Sequence, residues 1–230
     1  MENLEAAKYF EENHYVKISN FIKPEEASFL YDYIKLATKR CAYLENSRIN
    51  FDEGVYGTFT DVQAPGDYSK YGDLIFDTLL VRKLPELEFI IGKKLIPNYS
   101  YHRLYTTNTE LKRHKDRPSC EISTTLCLGY DVSNVDLKKY PDFDWPMFVG
   151  NKNGEEGTEG LPIHMKPGDM IIYRGCNIEH WREPFIGMNH AQVFLHYNEY
   201  EGKYNILNDG RPVLGLPASF KTNFNNDLKV

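Results

Sequence analysis

Residues 121–130 read E-I-S-T-T-L-C-L-G-Y. Aliphatic and β-branched residues dominate this run, which has the length and composition of a strand. Segments of the same character recur between turn signals from about residue 98 onward: S-Y-H-R-L-Y-T at 100–106, W-P-M-F-V-G at 145–150, I-H-M at 163–165, D-M-I-I-Y-R at 169–174 and A-Q-V-F-L-H-Y-N at 191–198. Short strands spaced in this way build an antiparallel sandwich or barrel. N-K-N-G-E-E-G-T-E-G at 151–160 reads as a loop or hairpin between two of them, and K-P-G-D at 166–169 as a tight turn into the next.

The first hundred residues differ in character. P-E-E-A-S-F-L-Y-D-Y-I-K-L-A-T, from Pro24 to Thr38, has apolar residues at helical spacing, with Pro and two Glu in its first turn. Y-V-K-I-S-N-F-I just before it alternates like a short strand, and a second helix is expected around residues 72–89, broken or kinked at Pro85. The expectation is an α+β chain of one domain. Residues 1–97 form a helical support region, 98–200 a jelly-roll core and 201–230 a C-terminal extension.

Bulk properties exclude several functions. The 230 residues are 41% hydrophobic, with a formal charge of -6 and no block of Lys or Arg to follow a phosphate backbone, so no nucleic-acid partner is expected. Cys41, Cys120, Cys127 and Cys176 form no CxxC pair, which argues against a zinc knuckle and a disulfide framework and suits a reducing cytoplasm. The acidic N-terminus does not read as a signal peptide, and no run has the length of a membrane span.

Chemistry concentrates just ahead of the opening strand, in L-K-R-H-K-D-R-P-S-C. In extended chain, side chains at i and i+2 share a face, so His114 and Asp116 point the same way while Lys115 points away. His180, 64 residues beyond Asp116, follows a turn and a strand in P-G-D-M-I-I-Y-R-G-C-N-I-E-H. Two imidazoles and one carboxylate form the open donor set of non-haem Fe(II) sites, whereas a structural zinc site is closed by four ligands.

H-K-D followed by P-G-D-M-I-I-Y-R-G-C-N-I-E-H resembles the Fe(II)/2-oxoglutarate-dependent oxygenases, in particular their prolyl-4-hydroxylase-like members. Y-V-K-I-S-N-F-I-K-P-E-E-A is similar to the family's opening strand and helix. Tyr105 to Asp116 is similar to its Y-x-x-G-x-x-L-x-x-H-x-D stretch, with Asn108 where Gly is usual. Asn tolerates the same left-handed conformation. The resemblance implies a double-stranded β-helix, Fe(II) held by His114, Asp116 and His180, and 2-oxoglutarate and O2 as co-substrates, with Tyr105 reaching the 2-oxoglutarate. Because Asp116 is retained where halogenating members lack the carboxylate, it implies hydroxylation or a related oxidation of a small molecule or peptide.

One departure stands out. The family places Arg or Lys about ten residues after the distal histidine to pair with the far carboxylate of 2-oxoglutarate, but here that position is His190, followed by Gln192. His190 with Gln192 is the first expectation for that role, then Arg117, with Arg103 and Arg182 as further arginine substitutes. Two readings stay open beside the hydroxylase: a cupin-like metalloenzyme that does not use 2-oxoglutarate, and a non-catalytic β-sandwich binding module. Residues 46–69 and 131–144 are long enough to form a lid.

Overall fold

A computed structural model describes residues 3–140, 143–152 and 155–222. Among these residues, four α-helices, α1 (Asn3–Asn13), α2 (Pro24–Asn46), α3 (Glu53–Tyr56) and α4 (Leu74–Ile91), accompany ten strands: β1 (Tyr15–Ile18), β2 (Tyr68–Tyr71), β3 (Leu95–Thr106), β4 (Leu111–His114), β5 (Ile122–Asp131), β6 (Met147–Val149), β7 (Leu161–Ile163), β8 (Met170–Tyr173), β9 (His180–Arg182) and β10 (Asn189–Glu199). They pair antiparallel into a six-stranded sheet, β1-β8-β5-β10-β3-β2, and a four-stranded sheet, β4-β9-β6-β7. This is the double-stranded β-helix, with helices on one face of the larger sheet.

Alternation along the central strands assigns the two layers. Ile122, Leu126 and Leu128 of β5, with Ala191, Val193, Leu195 and Tyr197 of β10, join one core with Ile34 of α2 and Leu80 and Leu87 of α4. The residues between them, Ser123, Thr125 and Cys127 on β5 and His190, Gln192, Phe194 and His196 on β10, point into the roll by the period of the strand. β5 is buried on both faces from residue 122 to residue 129, so its short Ser and Thr side chains lie inside the protein together with its aliphatic ones.

Three local readings are refined. α2 runs to Asn46, well past Thr38, and α4 continues through Pro85 to Ile91 without ending there. Its first turn is capped by the Asp73 carboxylate, which accepts from the Ile75 amide, and its end by Gly92 in the left-handed region. The N-terminal region contributes strands as well as helices, since β1 and β2 are the two edges of the larger sheet. Asn108 has φ 71°, the left-handed conformation expected where the family pattern has glycine. Within the two expected lid segments and the 151–160 loop, residues 141–142 and 153–154 lie outside the described residues, as do 223–230 of the C-terminal extension.

The C-terminal segment is tied back onto the sheet. Arg211, nearly fully buried, donates to Asp77 Oδ2 of α4 and to the carbonyls of Asn98 and Leu216. This anchor brings Asp209 over the rim of the roll.

His102 faces the helical layer, packed on the rings of Tyr68 and Phe76, and neither ring nitrogen has a hydrogen-bond partner among the described residues. Burial pushes its pKa down from 6.5 to about 3. The unfolded chain therefore binds a proton that the folded chain refuses, and stability falls as pH drops from about 6.5 toward 3, with about 3 kcal/mol lost through this group by pH 4. Urea unfolding across that range is expected to show a shallower acid decline in His102→Leu than in the parent. Equal slopes would remove His102 from this account.

Candidate metal centre

The chain brings His114, Asp116 and His180 together by pairing β4 with β9. His114 and His180 are cross-strand partners, their rings 4.3 Å apart. Asp116 lies two residues past the end of β4, and its amide donates to the Gly175 carbonyl at 2.9 Å, so the extended chain continues far enough to keep His114 and Asp116 on one side. Asp116 Oδ1 is 3.7 Å from His114 Nε2 and 3.4 Å from His180 Nε2, and the three donor atoms lie within 4.8 Å of one another.

Both imidazoles are oriented from behind. His114 Nδ1 is 2.7 Å from the Lys112 carbonyl and His180 Nδ1 is 3.3 Å from the Ile178 carbonyl. A carbonyl only accepts, so each Nδ1 carries the hydrogen and each Nε2 keeps a lone pair toward Asp116. Burial, with His180 adding to it, lowers the pKa of His114 and favours that neutral form. For Asp116, burial raises the pKa, but His180 and the Ser123 hydroxyl outweigh it and hold the carboxyl well below the usual carboxylate range. An ionised carboxylate faced by two imidazole Nε2 atoms is the donor set that suits a borderline divalent cation.

The three residues line a cavity of about 390 Å³ inside the roll. Its other walls include Thr125 from β5, Tyr173 from β8, Arg182 from β9 and Phe194 and His196 from β10, with Tyr99, Tyr101 and Arg103 from β3. A second group, Asp116, Cys120 and His196, also converges within 4.8 Å. There the Cys120 thiol is held protonated, its pKa raised well above the ordinary value chiefly by burial, and its sulfur is 3.0 Å from the Tyr99 hydroxyl.

The expected 2-oxoglutarate residues are distributed differently. Tyr105, His190 and Gln192 are fully or nearly fully buried and lie behind the cavity wall. Tyr105 packs edge-on to Trp145, and His190 is stacked on Tyr130 with Trp145 and Phe185 around it. Burial drives the pKa of His190 well below its ordinary value, so the ring offers no charge to an anion. Arg117 lines the cavity, but both of its terminal nitrogens are engaged by Asp209, at 2.8 and 2.7 Å. Arg103 is likewise paired with Asp61 at 2.9 Å.

Arg182 is the exception. It is 2% exposed, lines the cavity, and donates to the Trp145 carbonyl and to Gln192 Oε1 at 3.0 Å, with no carboxylate pairing with it among the described residues. Burial pulls its pKa down to about 10. A guanidinium has five N–H donors, and those not turned to these two oxygens remain for an anion. Gln192 thus touches Arg182 rather than the cavity itself. The family pattern gives Arg182 no precedence, although its i+2 relation to His180 on a strand puts the two on one face.

Trp181, the neighbour of both His180 and Arg182, stacks on Phe148 and lies under the Arg113 guanidinium, a packing position outside the roll. Asp61 and Gln63 of the first lid segment line the cavity mouth, whereas no described residue of 131–144 does. Among the described residues, no helix is long and apolar enough to cross a membrane.

No family model matches the sequence, and no curated protein matches it. Solved structures do match the fold. EctD from S. alaskensis with bound Fe aligns with TM-score 0.60 at 15% identity over 93% of this chain and 86% of that one. HygX from Streptomyces hygroscopicus with nickel, 2-oxoglutarate and hygromycin B aligns with TM-score 0.59 at 13% identity, covering 87% and 88%. A Pseudomonas putida prolyl-4-hydroxylase aligns with TM-score 0.55 at 12% identity, covering 86% of this chain and 98% of that one. The chain therefore has the prolyl-4-hydroxylase-like double-stranded β-helix fold found in structures of the 2-oxoglutarate–Fe(II) oxygenase superfamily.

Proposed function

We propose that this chain is an Fe(II)- and 2-oxoglutarate-dependent oxygenase that hydroxylates a C–H bond of a small molecule or peptide. One observation carries the reading: two imidazole nitrogens and one carboxylate oxygen converge on a cavity that also holds a buried guanidinium with no carboxylate partner among the described residues. His114, Asp116 and His180 would hold the metal, and Arg182 would receive the far carboxylate of 2-oxoglutarate, with the Thr125 and Tyr173 hydroxyls lining the same cavity. When bound, Fe(II) supplies the activation of O2 that couples conversion of 2-oxoglutarate to succinate and CO2 with insertion of oxygen into the substrate.

The protein's own contribution is placement and charge. The Lys112 and Ile178 carbonyls orient the two imidazoles, and Ser123 holds the outer oxygen of Asp116 at 2.7 Å. Arg182 is buried, so its attraction for a carboxylate is screened less than at the surface. The absence of a basic residue at position 190 favours a cupin-like enzyme that does without 2-oxoglutarate, and Arg182 answers that objection. A cavity of about 390 Å³ shared with 2-oxoglutarate admits only a small substrate or one side chain of a larger one. Names among the fold neighbours, hygromycin B and 5-hydroxyectoine, support a small molecule.

Anaerobic titration of the Fe(II)-loaded protein with 2-oxoglutarate tests this. A weak visible charge-transfer band that saturates with ligand is expected, with succinate released once air is admitted. No band and no succinate from protein shown to hold Fe(II) would overturn the assignment.

A further inference from the structure

We infer that Ser123, Gly175 and His196 form a frame that fixes which oxygen of Asp116 faces the imidazoles. The inference rests on the metal reading above and adds residues that neither the H-x-D pattern nor the distal histidine announces. Asp116 Oδ1 faces both Nε2 atoms, whereas Oδ2 turns the other way and accepts from the Ser123 hydroxyl at 2.7 Å. Ser123 Oγ also lies 3.0 Å from the Cys120 carbonyl and 3.0 Å from His196 Nδ1. The hydroxyl has one proton, and the charged acceptor at the shorter distance takes it. Its lone pair then faces His196, which donates through Nδ1 and is braced by the Tyr99 ring 4.5 Å away.

Gly175 completes the frame by what it lacks. A Cβ built there would stand 2.3 Å from Asp116 Oδ2, 2.6 Å from the Cys120 carbonyl and 2.7 Å from Ser123 Oγ. Two of these three atoms are the partners of the very bond that turns Oδ2 away, so a methyl group would push Asp116 out of register. The Gly175 carbonyl meanwhile takes the Asp116 amide at 2.9 Å. Side chain and backbone of Asp116 are therefore both set by the loop that leads from β8 to His180, which ties the two halves of the metal site together. The chemical consequence is a carboxylate restricted to one donor oxygen, because Oδ2 cannot swing in and occupy a second position on the ion.

The test is Mn(II) titration of the metal-free protein by electron paramagnetic resonance, with thermal melting of the same metal-free samples. Ser123→Ala is expected to weaken Mn(II) binding about 10-fold, and Gly175→Ala about 100-fold, the range over which orienting partners change metal affinity. The metal-free Ser123→Ala protein should melt within about 4 °C of the parent, which separates positioning from folding. Mn(II) binding by Ser123→Ala within twofold of the parent, while His114→Ala loses it, overturns the frame. So does a loss in Cys120→Ala as large as in His114→Ala, since Oδ2 would then serve as a ligand. Unchanged binding in His114→Ala would instead strike the metal reading itself.

Discussion

Asp116→Asn is expected to lower succinate release by roughly three orders of magnitude and to weaken Fe(II) binding at least about 100-fold, the upper end of what even an orienting partner contributes. The substitution keeps the shape of the side chain and an oxygen that can accept from Ser123, so the local fold is preserved. What it removes is the only formal negative charge of the proposed donor set, the group whose carboxyl is held far below the usual range between His180 and Ser123. Two neutral imidazoles remain, and they bind a divalent cation without neutralising any of its charge. Metal content after dialysis, succinate by chromatography and circular dichroism together check the prediction. An Asp116→Asn protein that turns over 2-oxoglutarate within tenfold of the parent would mean that the metal is held elsewhere, and the Asp116–Cys120–His196 group would not rescue it, since it shares the same carboxylate.

The H-K-D motif is legible in the sequence because strand geometry is local: two residues of extended chain decide that His114 and Asp116 face one way. The distal histidine is legible only through the family pattern, since nothing in residues 117–179 says that β9 will lie beside β4. The rank of the proposed anion partner escapes the sequence for a related reason, since Arg182 stands there only behind His190, Gln192 and Arg117. Counting ten residues from His180 lands on β10, where His190 does point into the roll but meets Tyr130, Trp145 and Phe185 before it reaches the cavity. Arg117 has the right neighbour in sequence, yet Asp209, 92 residues away, claims its guanidinium, and no local pattern announces that pairing. The helix ends differ from expectation because tertiary burial extends them: Ala37 and Cys41 continue the buried face of α2 past the point where its propensity weakens. Ser123, Thr125 and Gly175 carry no motif, but the first two follow from alternation once β5 is known to back the ligand pair.

Arg182→Gln is expected to cut the thermal shift that 2-oxoglutarate gives the Fe(II)-loaded protein to a small fraction of the parental one. Arg182 is the cavity's one buried guanidinium among the described residues that no described carboxylate pairs with, since Arg103 and Arg117 already hold Asp61 and Asp209. An uncompensated buried charge costs several kcal/mol, and a carboxylate that arrives with bidentate geometry recovers much of it. Removing one partner of such a buried pair costs about 3–5 kcal/mol, which is a loss of at least about 100-fold in affinity. With 2-oxoglutarate at about 100 times the parental dissociation constant, ligand binding stabilises the parent by about 2.7 kcal/mol and the variant by about 0.4 kcal/mol. Arg182→Lys keeps the charge but not the planar fork, so its shift should fall between the two. Metal binding should be unaffected in both variants, because Arg182 touches the Trp145 carbonyl and Gln192 rather than any residue of the metal set. A full thermal shift in Arg182→Gln would move the carboxylate to the mouth of the cavity, where it would have to displace Asp61 from Arg103 or Asp209 from Arg117, and the reading of Arg182 as its receptor would fail.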